Sequence, residues 1–329
     1  MAEHKTYNFI NFLKGMSAIF IYTMHYIGIY CTRFNVQNYF LYLVCNITYV
    51  ALPIFFMCTG FVYRGRNVDY KYILKKLAKF YILSIIVNVL AFIGKSFLTH
   101  SFSADGVVYI VKESLVLNDL TTHLWFMIPL MVLYVIMPIF NTLDKKNLFF
   151  ITIVSLLFVA FKKDIPIVNK FNFSVPFAYY IYYFLVGACY KELDRKTKIK
   201  ILVLFVIGFI LYRIKYKGIY IGNFQSVYYN FPNEASSGNA NDTFCLANIL
   251  FILCDLLNLK SAFFDKMSRN CIYIYLFHPF FIHYLFDVCK MSNPYIATIL
   301  WVIIYFVMSY MFYYIDKYLV GRVKTDGSK

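Results

Sequence analysis

The sequence predicts an all-α protein: a polytopic transmembrane helical bundle of about ten spans, with both termini in the cytosol. Three observations carry that reading. The first is composition. Of 329 residues, 61% are hydrophobic and 21% aromatic, and only 15% are charged; mean hydropathy is +0.63. A soluble domain is about 45–50% apolar and about 25% charged, so this chain has too little polar surface to coat a water-soluble globule. The second is that apolar runs approaching the roughly 20 residues of a membrane span recur from end to end. The third is an asymmetry of Lys and Arg among the loops that those spans create. Apolar and polar residues do not alternate in tens, which argues against an outer-membrane barrel.

The candidate spans are 9–30, 40–63, 80–99, 123–140, 146–161, 175–190, 201–213, 243–257, 271–289 and 295–316. The first follows a segment with one Lys and has no small-residue cleavage site after it, so it reads as a retained span. The second ends in Leu52-Pro53-Ile54-Phe55-Phe56-Met57-Cys58-Thr59-Gly60-Phe61, where Pro53 and Gly60 can bend a helix. The third opens on Lys75, Lys76 and Lys79, and the fourth on His123, Trp125 and Phe126. Lys145–Lys146 lead into the fifth, and Lys191–Lys200 separate the sixth from the seventh. The seventh is short, and Arg213–Lys217 pull at its far boundary. A polar loop over about 212–242 leads to the eighth. The ninth carries His278 and His283, and the tenth runs up to Lys317. With both ends inside, 21 of the Lys and Arg residues fall on the cytosolic side and nine outside, while Lys14 and Lys95 lie within spans. All of 1–329 reads as a single transmembrane domain with no separate soluble domain.

The net charge of +16 is therefore a matter of membrane orientation, and nucleic acid is not an expected partner. Eight cysteines would suit a disulfide framework, but Cys45, Cys58, Cys189, Cys254 and Cys271 lie in or beside apolar runs and no C-x-x-C pair occurs. They read as reduced packing residues, and no metal site is expected.

Ionisable groups inside spans stand out, because a charge near the bilayer centre costs about 2.5–3.5 kcal/mol on insertion scales. The first span holds Lys14 and His25. Eleven helical residues amount to about 20° beyond three full turns, so the two share a face, roughly 16 Å apart along the axis. Alone, Lys14 is explained by snorkelling to headgroups and His25 by a hydrogen bond to a neighbouring helix. Lys76 and Lys79 alone are orientation anchors, and His123 and Trp125 belong to an interfacial belt. His278 alone is a satisfied interior histidine.

Together and in this order, the features resemble a family: a basic residue, ten residues and His in span one; P-I-F-F-M-C-T-G-F closing span two; K-K-L-A-K heading span three; H-L-W-F-M in span four; and I-Y-L-F-H-P near the end. The chain resembles the acyltransferase-3 family of integral membrane O-acyltransferases, which often O-acetylate cell-surface polysaccharides, and the likeness runs over about 10–290. The resemblance places the family's essential histidine on His25 and its basic residue on Lys14. It places the family's Arg-x-x-Arg on Lys76 and Lys79. Both are Lys here, without the bidentate fork of Arg, and Tyr81 stands near where a proline commonly follows. Trp125, His123 and His278 fall among residues lining the site.

The resemblance implies acetyl transfer from cytosolic acetyl-CoA to a hydroxyl of an envelope or exported polysaccharide or its lipid-linked precursor. Acetyl-CoA would be a substrate, and no bound cofactor is implied. Lys14, Lys76 and Lys79 would bind the donor. His25, with an unperturbed pKa near 6.5, suits a general base, and a transient acyl-His relay is the other route. The implied setting is a bacterial inner membrane, with a glycan acceptor, lipids, and either self-association or polysaccharide synthesis machinery as partners. Two rival readings stay open at this level: a transporter or flippase for a glycan precursor, and a non-catalytic subunit of a synthesis complex.

Overall fold

The computed structural model describes residues 7–36, 39–66, 70–98, 102–115, 126–161, 175–215, 239–283 and 293–319. These residues fold as helices and connecting turns. In chain order they are α1 (Asn8–Phe34), α2 (Tyr39–Thr48), α3 (Ala51–Tyr63), α4 (Tyr70–Leu98), α5 (Ala104–Leu115), α6 (Met127–Thr142), α7 (Lys145–Phe161), α8 (Val175–Lys191), α9 (Arg195–Lys215), α10 (Asn239–Leu256), α11 (Ala262–His283) and α12 (Pro294–Leu319).

Short polar side chains start several of these helices by accepting hydrogen bonds from first-turn N–H groups. Asp144 accepts from Asn147 at 2.7 Å, and Asn293 accepts from Tyr295 and Ile296. Asp194 precedes α9. The Thr197 hydroxyl beside it, joined by backbone N–H groups, holds its carboxyl below the usual carboxylate value. Asn35 and Asn258 adopt left-handed backbone conformations after α1 and α10, as helix ends commonly require.

Among the described residues each predicted span falls on helix; α9 and α11 begin earlier than predicted, at Arg195 and Ala262, and three further differences bear on the fold. The second span, expected as one piece over 40–63, is two helices separated at Tyr49–Val50. Pro53 is the reason. It has no N–H to give the Tyr49 carbonyl, and its ring opposes a helix continuing through that carbonyl, so it sits in the first turn of a new helix instead. The helix of the third span, α4, starts ten residues before the predicted 80, so the lysine segment is itself helical. A further helix, α5, occupies a predicted loop. Its 12 residues rise about 18 Å, well short of the hydrocarbon thickness of about 30 Å.

Among the described residues, Tyr70–Gly94 and Pro294–Met311 are long and apolar enough to cross a membrane, and Ala51–Tyr63, Met127–Thr142 and Thr243–Leu256 are shorter apolar helices. Large apolar side chains face outward along them: Ile82, Ile86 and Leu90 on α4, and Ile299, Ile303 and Val307 on α12. Water would penalise such faces and lipid does not.

The chain divides into two compact units. One comprises Met1–Cys58, Glu192–Tyr275 and Met291–Lys329, and the other Thr59–Lys191 and Leu276–Lys290. In the first, α1 packs against α2, α10 and α12, and α9 against α10. Phe9 meets Phe251 edge-on at 5.7 Å, and Lys198 pairs with Asp255 at 2.5 Å between α9 and α10. In the second, α7 packs on α8, α4 on α5 and α6, and α6 on α8. Asn88 donates to the Ser114 hydroxyl at 2.6 Å, tying α4 to α5. Gly60 of α3 is pressed against α8, where an added Cβ would fall 1.9 Å from the Phe184 carbonyl oxygen. Apolar burial gives little preference between lipid and protein neighbours, so such close backbone approaches and interhelical hydrogen bonds hold helices together.

Candidate functional site

Lys14 and His25 sit on one uninterrupted helix. Lys14, Ala18, Ile21 and His25 form a single stripe at 4-3-4 spacing. Ala18 and Ile21 are buried, and Lys14 and His25 are half-buried. The two ionisable groups therefore occupy one face of α1 at different depths, as their spacing predicts.

The level of Lys14 is built tightly. A Cβ on Gly15 would fall 2.4 Å from the carbonyl oxygen of Phe264 and 2.9 Å from its Cα, so α1 and α11 approach backbone to backbone there. The rings of Phe12 and Phe264 meet at 4.5 Å beside the contact.

Lys76 and Lys79 lie one turn apart on α4 in the second unit, both half-buried, with Lys71 and Lys75 exposed. α4 contains these four lysines in its first ten residues and no acidic residue. The Lys76 ammonium lies 5.6 Å above the centroid of the Tyr72 ring, a cation–π geometry. The Tyr72 hydroxyl is 2.9 Å from that of Tyr63, which donates to the Tyr134 hydroxyl at 3.3 Å. The Tyr134 ring packs on Phe80, one helical turn beyond Lys76, at 5.5 Å. A chain of phenols from α3, α4 and α6 thus holds the lysine segment.

Neighbouring cations are spent on structure. Arg64 donates from its two guanidinium nitrogens to the carbonyls of Phe140 and Leu143, each at 3.0 Å, at the end of α6. Lys191 donates to the Arg64 carbonyl. The Asn141 amide donates to the carbonyls of Tyr63 and Arg66 at 3.1 and 3.0 Å. These contacts satisfy carbonyls that helix ends leave open.

His278 is fully buried on α11, one residue before Pro279. His123 and Trp125 lie outside the described residues. The structure therefore places Lys14 with His25 on α1 in the first unit, and Lys76 with Lys79 on α4, and His278, in the second. Sequence reasoning overlooked the phenol chain and a second aromatic feature. Tyr22 and Tyr26, on either side of His25 in the sequence, hold α1 to α12. The 22-26 spacing was a readable signal for a second face of α1.

No match was found among curated proteins or among solved structures. A family model described as an acyltransferase domain, that of the acyltransferase-3 family, matches residues 7–315. Read with the helical architecture, that match over nearly the whole length means that the chain belongs to the acyltransferase-3 family of membrane-integral acyl-transfer enzymes.

Proposed function

We propose that the protein takes acetyl groups from cytosolic acetyl-CoA and transfers them to a hydroxyl of an envelope or exported polysaccharide, or of its lipid-linked precursor, in a bacterial inner membrane. The carrying observation is the Lys14–His25 stripe on unbroken α1. A cation about 16 Å along a helix from a titratable imidazole matches a donor whose charged phosphates and reactive thioester are separated by a long pantetheine arm. In this reading Lys14 attracts phosphate at the cytosolic end and His25 stands where the thioester meets the acceptor. Neutral imidazole takes the proton of the acceptor hydroxyl as its oxygen attacks the thioester carbonyl. The C–S bond breaks and CoA leaves as thiolate, which takes up a proton.

Lys76 and Lys79 supply the remaining donor contacts. The N-terminal end of a helix carries partial positive charge, and the lysines of α4 add to it rather than offset it. A polyanion is the ligand such an end attracts, through charge-assisted hydrogen bonds. Trp125, His123 and His278 are the further residues that the family resemblance offers as site-lining.

The test is turnover by purified protein in lipid nanodiscs with radiolabelled acetyl-CoA. His25→Ala is expected to lower acyl transfer about 10²–10⁴-fold, as loss of a general base does, while leaving a folded, inserted protein. Near-normal transfer by well-folded His25→Ala protein would remove His25 from the mechanism. Label retained on the wild-type protein without acceptor, and absent from the variant, would replace the base with an acyl-His relay. Surface glycans from cells with and without the protein should differ by one acetyl mass per modified sugar.

A further inference from the structure

The strongest feature outside the donor contacts is the way α1 is held at the level of His25. Tyr22 is 1% and Tyr26 4% exposed, and both turn toward α12. The Tyr22 ring stacks with Trp301 at 5.6 Å and 9°; the Tyr26 ring stacks with it at 4.7 Å and 21°. Tyr305 lies against Tyr22 at 5.0 Å. Two hydroxyl contacts fix the register: Tyr22 donates to the Trp301 carbonyl at 3.1 Å, and Tyr26 and Thr298 share a hydrogen bond at 3.0 Å. All these residues belong to the first unit.

On the helical wheel, the Tyr22/Tyr26 face is centred about 80° from His25. The clasp therefore does not occupy the face on which His25 works. It controls how far that face is turned. An atom about 6 Å from the axis moves about 1 Å when a helix rotates by about 10°. A misplacement of about 1 Å can cost about 10²-fold in rate. The indole Nε1 of Trp301 finds no hydrogen-bond partner among the described residues. Its ties to α1 are its ring and its carbonyl.

We propose that Trp301 is a positioning residue for His25: by stacking with Tyr22 and Tyr26 it fixes the rotation of α1 and so the placement of the imidazole. This rests on the reading of His25 as the reacting group. The consequence is a split between kinetic constants. Lys76 and Lys79 lie on α4, and Lys14 is held at its own level by the backbone contact of Gly15 with Phe264, so loss of the clasp lowers kcat and largely spares the KM for acetyl-CoA. Because the ring acts and the indole N–H does not, phenylalanine at this position preserves function.

The experiment compares wild type, Trp301→Phe, Trp301→Leu and His25→Ala, each full length in nanodiscs, with rates normalised to monodisperse protein. Trp301→Leu is expected to lower kcat about 10²-fold with KM for acetyl-CoA near wild type, and Trp301→Phe to retain most of kcat. If Trp301→Leu cannot be isolated folded, Tyr22→Phe combined with Thr298→Val removes only the hydroxyl contacts, and the same kcat-selective loss is expected at smaller size. Three results overturn the proposal: wild-type kcat in Trp301→Leu or, where that does not fold, in the Tyr22→Phe, Thr298→Val double variant; a rise in KM as large as the fall in kcat; or Trp301→Phe as damaged as Trp301→Leu. Active His25→Ala protein removes the underlying reading, and the proposal with it. Inactive His25→Ala beside fully active Trp301→Leu removes the proposal alone.

Discussion

At the residue scale, the lysines of α4 make the sharpest claim about the donor. Lys76 and Lys79 are half-buried and one turn apart, with Lys76 over the Tyr72 ring. If both contact donor phosphate, Lys76→Gln plus Lys79→Gln should raise the KM for acetyl-CoA and leave the acceptor KM near normal. Arg at both positions should be tolerated, since its fork suits phosphate at least as well. A double Gln variant with wild-type donor KM would move the donor site to Lys145, Lys146 or the Lys191–Lys200 segment. Arg64 behaves oppositely. Both of its nitrogens cap carbonyls of the α6 end, so Arg64→Gln should reduce folded yield and leave KM unchanged in the protein that folds. A basic residue beside a lysine-rich segment looks equivalent in sequence; the partners distinguish them. The shared face of Lys14 and His25, and the single turn between Lys76 and Lys79, were legible because spacing on a helix is a local property. Trp301 was not, because its partner Tyr22 lies 279 residues away and no local pattern encodes that pairing.

At the element scale, two glycines set how closely helices approach. Gly60 and Gly15 each face a neighbouring backbone, where an added Cβ would lie 1.9 Å from the Phe184 oxygen and 2.4 Å from the Phe264 oxygen. Backbone cannot rotate away as a side chain can, so the helices must separate. Gly60→Ala and Gly15→Ala are each expected to destabilise the protein, by about 1–3 kcal/mol for overpacking, read as a lower melting temperature in nanodiscs. Unchanged melting would mean that α3 and α8, or α1 and α11, have room for a methyl group between them. In the sequence Gly60 suggests a possible bend in the second span. Its effect is contact, and the break in that span comes earlier, at Pro53. Hydropathy alone merged α2 and α3, because it measures composition and is blind to a missing N–H. It overlooked α5 for the converse reason: a short helix with Asp105 in its first turn and Lys112 in its last resembles a polar loop by composition.

At the scale of the whole molecule, the remaining question is which way the helices run through the bilayer. Helices cross where lipid meets their apolar faces, but orientation follows from where the cations stay. Counting α2 and α3 as one crossing and α5 as none would give ten crossings, with 21 Lys and Arg residues expected on the cytosolic side and nine outside. In that arrangement the α3–α4 connection is expected in the cytosol, within reach of a donor made there. The segment 233–242 is expected outside. The prediction is tested on a background without the eight native cysteines, by single cysteines at Tyr70, whose side chain is 71% exposed, and at Ser237. In intact cells a membrane-impermeant thiol reagent should label position 237 and spare position 70 until the membrane is opened. The reverse pattern would invert the protein, put the lysine segment outside, and leave it no access to cytosolic acetyl-CoA. Labelling of both positions in intact cells would instead mean an even number of crossings between them, in place of the five expected. The polar stretch around Arg213–Lys217 would then be the first place to seek the missing or additional one, since the charges there compete with the end of the apolar run for the boundary.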